Sequence, residues 1–409
     1  MADRLLLKGG TLVDSDGRRK ADLMVEDGVI SRIAPELCPE EGMRVIDIEG
    51  KYLCYGLADV HVHFRVPGRP DKETILTGSQ AAARGGYTCV CAMPNLSPVP
   101  DSPGHLEEEF ALIRRDACVD VRPYASITIG RKGREVVDVH ALKDVAVAFS
   151  DDGSGVQDDG VMTRAMNEIA REGCLLAAHC EDESLLKAGR LRESEWVQIE
   201  RDLRLAAGIG CHYHVCHIST KESLEVIRRA KATGTDVSCE TAPHYLLLCT
   251  DDCEDDGRFK MNPPLRAAAD RDALLGGLND GSIDMIATDH APHMAEDKSK
   301  GLGGSANGII GLETAFPVLY TGLVLTGIIT LERLIWLMSE SPRRRFRLGG
   351  SLKEGGSADL AVFDCAQEYI IDSGTFLSKG RSTPFDGWKV YGKCVLTLFR
   401  GRTVWQESI

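Results

Sequence analysis

The 409-residue sequence has no block of basic residues: its 48 lysines and arginines are scattered among 62 aspartates and glutamates, and the net charge is −14. Without a basic stripe there is no footprint for a phosphate backbone, so nucleic acid is excluded as a partner. An acidic protein can still take an acidic substrate, provided an arginine and a metal ion set the sign of the potential inside the cleft. No apolar run is long enough for a membrane span. The opening Met1-Ala2-Asp3-Arg4-Leu5-Leu6-Leu7 is too short for a signal peptide. The apolar segment Gly308 to Thr330 is interrupted by Glu313, Pro317 and several glycines, which predicts a buried helix. Cys-x-x-Cys pairs are absent. The 14 cysteines are spread along the chain, with Cys89, Cys91 and Cys216 inside strand-like apolar runs, and they read as buried thiols in a reducing compartment. A cytoplasmic protein with no membrane partner is expected. Glycine-rich phosphate loops and nucleophile elbows are also missing, which removes two common catalytic plans.

Hydrophobic residues make up 43% of the chain and charged residues 27%, an ordinary globular balance, and the length suits one large domain with a small satellite. Short strands with turn signals occupy both ends. Asp16-Gly17 and Asp27-Gly28 mark hairpins among the first residues, and Ala358 to Asp364, Cys394 to Leu398 and Thr403 to Trp405 repeat the pattern near the other end. Both termini are expected to build one small β domain, residues 1–53 plus 355–409. Between them, over 54–354, strands alternate with helical stretches. The strands are Leu57 to Phe64, Tyr87 to Met93, Val121 to Thr128, Val145 to Ser150, Cys174 to His179, Cys211 to His217, Asp236 to Thr241 and Ile283 to Thr288. Helices are predicted over Thr74 to Arg84, Leu106 to Arg115, Met162 to Arg171, Lys221 to Lys231 and Arg271 to Leu278. Eight such units predict an α/β protein, a (β/α)8 TIM-like barrel carrying a small β-sandwich domain.

The predicted strands share a habit: they finish in polar residues capable of chemistry. The first ends in His61-Val62-His63-Phe64-Arg65, where histidines at i and i+2 project from one face and can reach one ion. Later strands end at Asn95, at Asp151-Asp152, at His179, at His217, near His244 and at Asp289. In a barrel these ends converge on one mouth. Imidazoles and carboxylates without thiolates suit zinc, or manganese, cobalt or iron, with an open coordination position. His61, His63, His179 and His217 with Asp152 and Asp289 suffice for two ions if one carboxylate bridges, and two ions would acidify a water for attack at neutral pH. Asp289 could then pass the proton to a leaving nitrogen, which describes hydrolysis of an amide-like bond or its reversal. Each residue also has a duller reading. His140, His212 and His214 are expected to be surface or packing histidines. Asp151 and Asp152 could cap a loop before Gly153, with Asp152 the better ligand and Asp151 a supporting group, while His244 and Tyr245 could simply close the mouth. Lys221-Glu222-Ser223 looks like an ordinary helix start.

The ordered motifs His61-Val62-His63-Phe64-Arg65-Val66-Pro67-Gly68, Met93-Pro94-Asn95, Ser150-Asp151-Asp152-Gly153, His179-Cys180-Glu181-Asp182, His217-Ile218-Ser219-Thr220-Lys221, Met261-Asn262-Pro263-Pro264-Leu265-Arg266 and Ala287-Thr288-Asp289-His290-Ala291-Pro292-His293 resemble those of the bacterial type I dihydroorotases of the amidohydrolase superfamily. The likeness reaches Lys379-Gly380-Arg381-Ser382-Thr383-Pro384-Phe385. It implies a zinc enzyme of pyrimidine synthesis, with one or two Zn2+ per subunit, interconverting N-carbamoyl-L-aspartate and L-dihydroorotate. By position, His61, His63 and Asp289 look like ligands of the more buried zinc, and His179 and His217 like ligands of the second. Asp152 stands where many relatives carry a carboxylated lysine, and a shorter bridge demands a closer backbone. Arg65, Asn95 and His293 look like the clamp on the substrate carboxylate, Asn262 like a ring contact, and Asn307-Gly308 like part of the loop whose backbone meets the ring. A homodimer is expected, with aspartate carbamoyltransferase as a further partner.

The sequence departs from that family in four places. The stretch around Lys187 to Glu195 is short, which would expose the mouth or alter an oligomer contact. Ala306-Asn307-Gly308 replaces Pro-Phe-Gly, Tyr245 replaces a histidine and Val66 a glutamate. Two alternatives follow. Hydantoinases, dihydropyrimidinases and allantoinases are cyclic amidases of the same superfamily, but they expect the modified lysine and lack the Arg65 and Asn95 clamp. A non-catalytic scaffold for aspartate carbamoyltransferase would leave the metal shell without a use.

Overall fold

The computed structural model describes residues 4–407. The chain opens with seven short strands, β1 (Arg4–Lys8), β2 (Thr11–Asp14), β3 (Gly17–Lys20), β4 (Asp22–Glu26), β5 (Val29–Ala34), β6 (Arg44–Asp47) and β7 (Tyr52–Tyr55). Then come β8 (Leu57–Val62), β9 (Tyr87–Ala92), β10 (Asp120–Pro123), β11 (Leu175–Ala178), β12 (His212–Val215), β13 (Val237–Thr241) and β14 (Met285–Ile286), interleaved with helices. The last strands are β15 (Leu360–Ile370), β16 (Lys389–Phe399) and β17 (Arg402–Gln406).

The terminal strands form two sheets, ordered β5-β4-β1-β6 and β17-β16-β15-β7-β2-β3. The second joins the chain ends, with Leu53 of β7 opposite Val362 of β15. The period of two in Leu5-Leu6-Leu7 explains the packing. Leu5 and Leu7 meet Leu23, Leu53, Leu360, Val362 and Leu398 in one apolar cluster, while Leu6 turns the other way onto Met24 and Leu37.

The middle of the chain is an α/β arrangement in which every paired neighbour is parallel: β8 with β9, β9 with β10, and β11 through β14 in sequence. Single parallel bridges, Ala125 to Phe149, Phe149 to Leu176 and Val62 to His290, link residues in or next to these ladders. Small side chains from around these ladders, among them Ala58, Val60, Cys89, Cys91, Ala148, Ala177, Cys216 and Ala287, pack into one cluster with Tyr124 and Met285. The cysteines here are small buried hydrophobes, as their apolar setting predicts.

Helix starts follow capping chemistry. Thr74, Ser102, Asp158 and Thr220 accept hydrogen bonds from backbone amides in the first turns of the helices Ile75–Arg84, Pro103–Asp116, Asp159–Arg171 and Lys221–Ala232. The fifth predicted helix is Ala268–Asp280. The short stretch around Lys187 to Glu195 runs into a 19-residue helix, Leu191–Ile209. Its buried Glu195 accepts from the amides of Ser219 and Thr220, so it closes against the end of β12. Gly308 to Thr330 is helical only in part, over Ala315–Leu319 and a π-helical turn Tyr320–Val324. No helix among the described residues is long and apolar enough to cross a membrane.

Two predicted strands are shorter than expected. Val145 to Ser150 pairs only around Phe149: the amides of Val145 and Ala146 turn back onto the Leu142 carbonyl, and past Ser150 the Asp151 carboxylate takes the amides of Ile127 and Thr128. Ile283 to Thr288 reduces to β14, because the Thr288 amide donates to the Asp59 carboxylate at 3.1 Å. Side-chain oxygens take backbone amides at both places.

Candidate metal and substrate site

At the C-terminal ends of these strands lies a cavity of about 150 Å³ lined by His63, Arg65, Asn95, Asp152, His179, His217, Asn262, Asp289, Asn307 and Gly308, together with Gly153 and Ala291. His61 lies beneath it, fully buried. Three of these residues have left-handed backbone angles, Arg65 at φ 63°, His217 at 31° and Asp289 at 49°. Such conformations cost on the order of 1–3 kcal/mol each and gather where a side chain must be aimed. Gly308, at φ +130°, has no room for a side chain, since a Cβ there would sit 2.7 Å from the Ala291 carbonyl oxygen.

Asp152 is the centre of the cluster. Its Oδ1 lies 3.3 Å from His61 Nε2, 3.7 Å from His217 Nε2 and 3.9 Å from His179 Nδ1, and its Oδ2 lies 3.6 Å from His63 Nε2. Asp289 Oδ1 lies 3.0 Å from His63 Nε2 and 3.6 Å from His61 Nε2. Of three groups of close ligand atoms among the described residues, two, His61-His63-Asp152 and Asp152-His179-His217, share Asp152, and the third joins His61 to Cys216 and Glu240. Donor atoms bound tetrahedrally at about 2 Å to one ion stand roughly 3.3 Å apart, and the spacings here run from 2.9 to 3.9 Å around that value. Two buried atoms of the cluster, His61 Nε2 and Asp152 Oδ1, have no hydrogen-bond partner among the described residues. Buried polar atoms left unpaired are costly, and a cation between them satisfies both. The donor set therefore fits a divalent metal.

The supporting groups fix the rings. Glu240 Oε1 lies 2.7 Å from His61 Nδ1, which leaves Nε2 to face Asp152. Glu181 Oε2 lies 2.8 Å from His179 Nε2, leaving Nδ1 for the cluster, and also accepts from Asn262 Nδ2 at 2.7 Å. Asn95 Oδ1 lies 2.8 Å from His63 Nδ1. Burial alone would raise the carboxyls of Asp152 and Asp289, but the surrounding histidines outweigh it and hold both below the ordinary range. Glu240 behaves alike: burial opposes its ionisation, His61 and His214 favour it, and its pKa falls to about 2. All three are anions at neutral pH, as a cation requires.

Arg65 stands beside this cluster with His293 behind it. His293 Nδ1 accepts from Lys72 Nζ at 2.9 Å, and His293 Nε2 donates to the Asn307 carbonyl at 2.7 Å. Burial, Arg65 and Lys72 together push the His293 pKa down to about 3, so the ring is neutral. His293 backs Arg65 and does not line the cavity.

His140 and His212 lie away from the cluster, as expected, paired with Glu172 and Asp236. His214 is more than a packing residue: it is fully buried and its Nε2 lies 3.1 Å from Glu240 Oε2. Asp151 supports the loop through Ile127 and Thr128. Tyr245 donates to the Pro263 carbonyl at 2.6 Å, tying down the loop that carries Asn262. Glu240, Glu181 and Asp59 were not singled out from the sequence. For Asp59 and Glu240 the available signal was an acidic residue inside a buried strand, as in Val237-Ser238-Cys239-Glu240-Thr241; Glu181 lies past the end of its strand and carried no such mark.

Comparison with known proteins bears on the chemistry. Residues 50–199 match the family model described as dihydro-orotase-like. The chain is 49% identical to the dihydroorotase of Bacillus cytotoxicus and 48% identical to that of Bacillus anthracis, each over 98% of both chains. Among solved structures it is similar to the L-hydantoinase (dihydropyrimidinase) of Arthrobacter aurescens, with a TM-score of 0.90 and 30% identity over 99% of this chain and 96% of that one. The dihydropyrimidinase of Brevibacillus agri shares the fold, with a TM-score of 0.85 at 22% identity over 98% and 95% of the two chains. The near-full-length likeness to the Bacillus dihydroorotases places the chain in the dihydroorotase family, and the histidine and carboxylate cluster beside Arg65 accords with it.

Proposed function

We infer that the protein is a dihydroorotase, a metal-dependent cyclic amidohydrolase interconverting L-dihydroorotate and N-carbamoyl-L-aspartate in pyrimidine synthesis. The observation that carries this reading is that Arg65 and Asn95 open into the same cavity as Asp152, Asp289 and the histidines. His61, His63, Asp152 and Asp289 would hold one ion and Asp152, His179 and His217 a second, with zinc the best match to nitrogen and carboxylate donors. Bound there, the metal supplies Lewis-acid polarisation of the substrate carbonyl and a water acidified for attack.

The chain's own residues do the rest. The Arg65 guanidinium and the Asn95 amide hold the substrate carboxylate, a pairing a fork of N–H donors favours. Asn262, Asn307 and Gly308 frame the ring. In hydrolysis a water oxygen bonds to the ring carbonyl carbon and the carbon–nitrogen bond breaks. Asp289 takes the proton released by the water and returns it to the departing nitrogen. Cyclisation is the reverse.

The fold reading extends likewise: a closed (β/α)8 barrel over 54–354 and a β-sandwich domain from 1–53 plus 355–409. A cytoplasmic homodimer that associates with aspartate carbamoyltransferase completes the proposal.

A hydantoinase-type activity is the alternative, favoured by the likeness to the Arthrobacter enzyme. An uncharged ring, however, would leave the Arg65 guanidinium, which lines the cavity, without a substrate anion to pair with. Comparing kcat/KM for L-dihydroorotate, dihydrouracil and a 5-substituted hydantoin decides between them. Preference for L-dihydroorotate is expected; preference for either uncharged ring overturns the assignment.

A further inference from the structure

Part of the cavity wall is made by two separate segments, one carrying Asn262 and the other Asn307-Gly308. Both meet at a single buried lysine. Lys298 ends the short helix Ala295–Lys298 and keeps only 8% of its surface exposed. Its ammonium donates to three backbone carbonyls, those of Lys260 at 2.9 Å, Ala306 at 2.8 Å and Gly308 at 2.6 Å. The Gly308 amide in turn donates to the Lys260 carbonyl at 3.0 Å, and the Ala306 amide to the Asp297 carbonyl at 2.9 Å. No carboxylate is needed: three carbonyl dipoles satisfy all three N–H donors of an ammonium group.

We propose that Lys298 is the positioning residue of the substrate pocket, locking the Lys260-to-Asn262 and Ala306-to-Gly308 segments into the one arrangement that receives the ring. The assignment rests on the dihydroorotase reading. Lys298 lies outside the ligand cluster and does not line the cavity, so its effect reaches substrate only through these backbones. Burial pushes its pKa down to about 8, with the nearby Lys260 adding to the shift and Asp256 and Asp297 opposing it. That cost is incurred at a site where a methionine would fill the same space without charge, which argues that the three hydrogen bonds matter more than packing.

The test is steady-state hydrolysis of L-dihydroorotate by the wild-type protein, Lys298→Met and Lys298→Gln, with bound metal and Tm measured on the same preparations. Losing charge-assisted hydrogen bonds that shape a binding wall should raise KM roughly tenfold or more. Metal content should match wild type and kcat should stay within about threefold. A folded, metal-replete Lys298→Met with unchanged KM overturns the proposal, and so does a loss confined to kcat. If Lys298→Met does not fold, Lys298→Gln, which keeps two donors, must show the same rise in KM; an unchanged KM there is equally fatal. A wild-type protein inert toward L-dihydroorotate would instead remove the functional reading beneath the proposal.

Discussion

Glu240 Oε1 and His61 Nδ1 lie 2.7 Å apart in a region closed to solvent, and Glu240 spends its other oxygen on His214. One carboxylate thereby orients a ring that faces the cluster and is itself oriented by a second ring. Replacing it with an amide keeps the size but removes the charge that favours His61 as a ligand. Glu240→Gln is expected to weaken metal affinity by about 10–100-fold. Competition against a chromophoric chelator measures this, and wild-type affinity would show that Glu240 is packing alone.

Arg65 contributes charge to the cavity without belonging to either ligand group. Arg65→Met should leave metal content intact and raise KM for L-dihydroorotate by roughly two orders of magnitude, the scale of a lost charge-assisted pair. Unaltered kinetics would retire the clamp.

Asp289 is placed to carry a proton, ionised and 3.0 Å from His63 Nε2. Asp289→Asn should lower kcat by about 10²–10⁴-fold. The comparison is made at full metal occupancy, because Asp289 is also proposed to hold the first ion. Near-normal turnover under that condition contradicts the proton-transfer role.

Thiol chemistry gives an independent check on the fold. Among the described residues all 14 cysteines are free, Cys38 is exposed, and Cys118, Cys174 and Cys253 are half-buried. Burial pushes the thiols of Cys211, Cys216, Cys365 and Cys394 up to about 12, so at pH 8 they are protonated and unreactive as well as hidden. A disulfide-exchange reagent should modify Cys38 quickly, the three half-buried thiols slowly, and the remainder only after denaturation. Rapid modification of most thiols in the native protein would contradict this packing.

Much of the site was legible because ligand chemistry leaves marks at strand ends: His61, His63, His179, His217 and Asp289 were found by their position after apolar runs. What the sequence concealed was the use of side chains as backbone partners. Asp151 takes the amides of Ile127 and Thr128, and Asp59 that of Thr288, at two strands that look longer in sequence than they are. Glu240 and His214 were hidden differently. Their significance lies in a contact across adjacent parallel strands, a register that local pattern does not encode. Glu195 belongs to a helix read as a shortened loop, and only its contacts with Ser219 and Thr220 show that it braces the end of β12.

The central claim is that Asp152 joins two histidine groups into one metal centre that acts on L-dihydroorotate. Elemental analysis and an L-dihydroorotate assay on the same sample, before and after chelation and then during zinc re-addition, test it most directly. We expect bound metal in the active sample, loss of turnover with its removal, and recovery that saturates as the centre refills. Full activity in metal-free protein, or a zinc-loaded protein inert toward L-dihydroorotate, would contradict it.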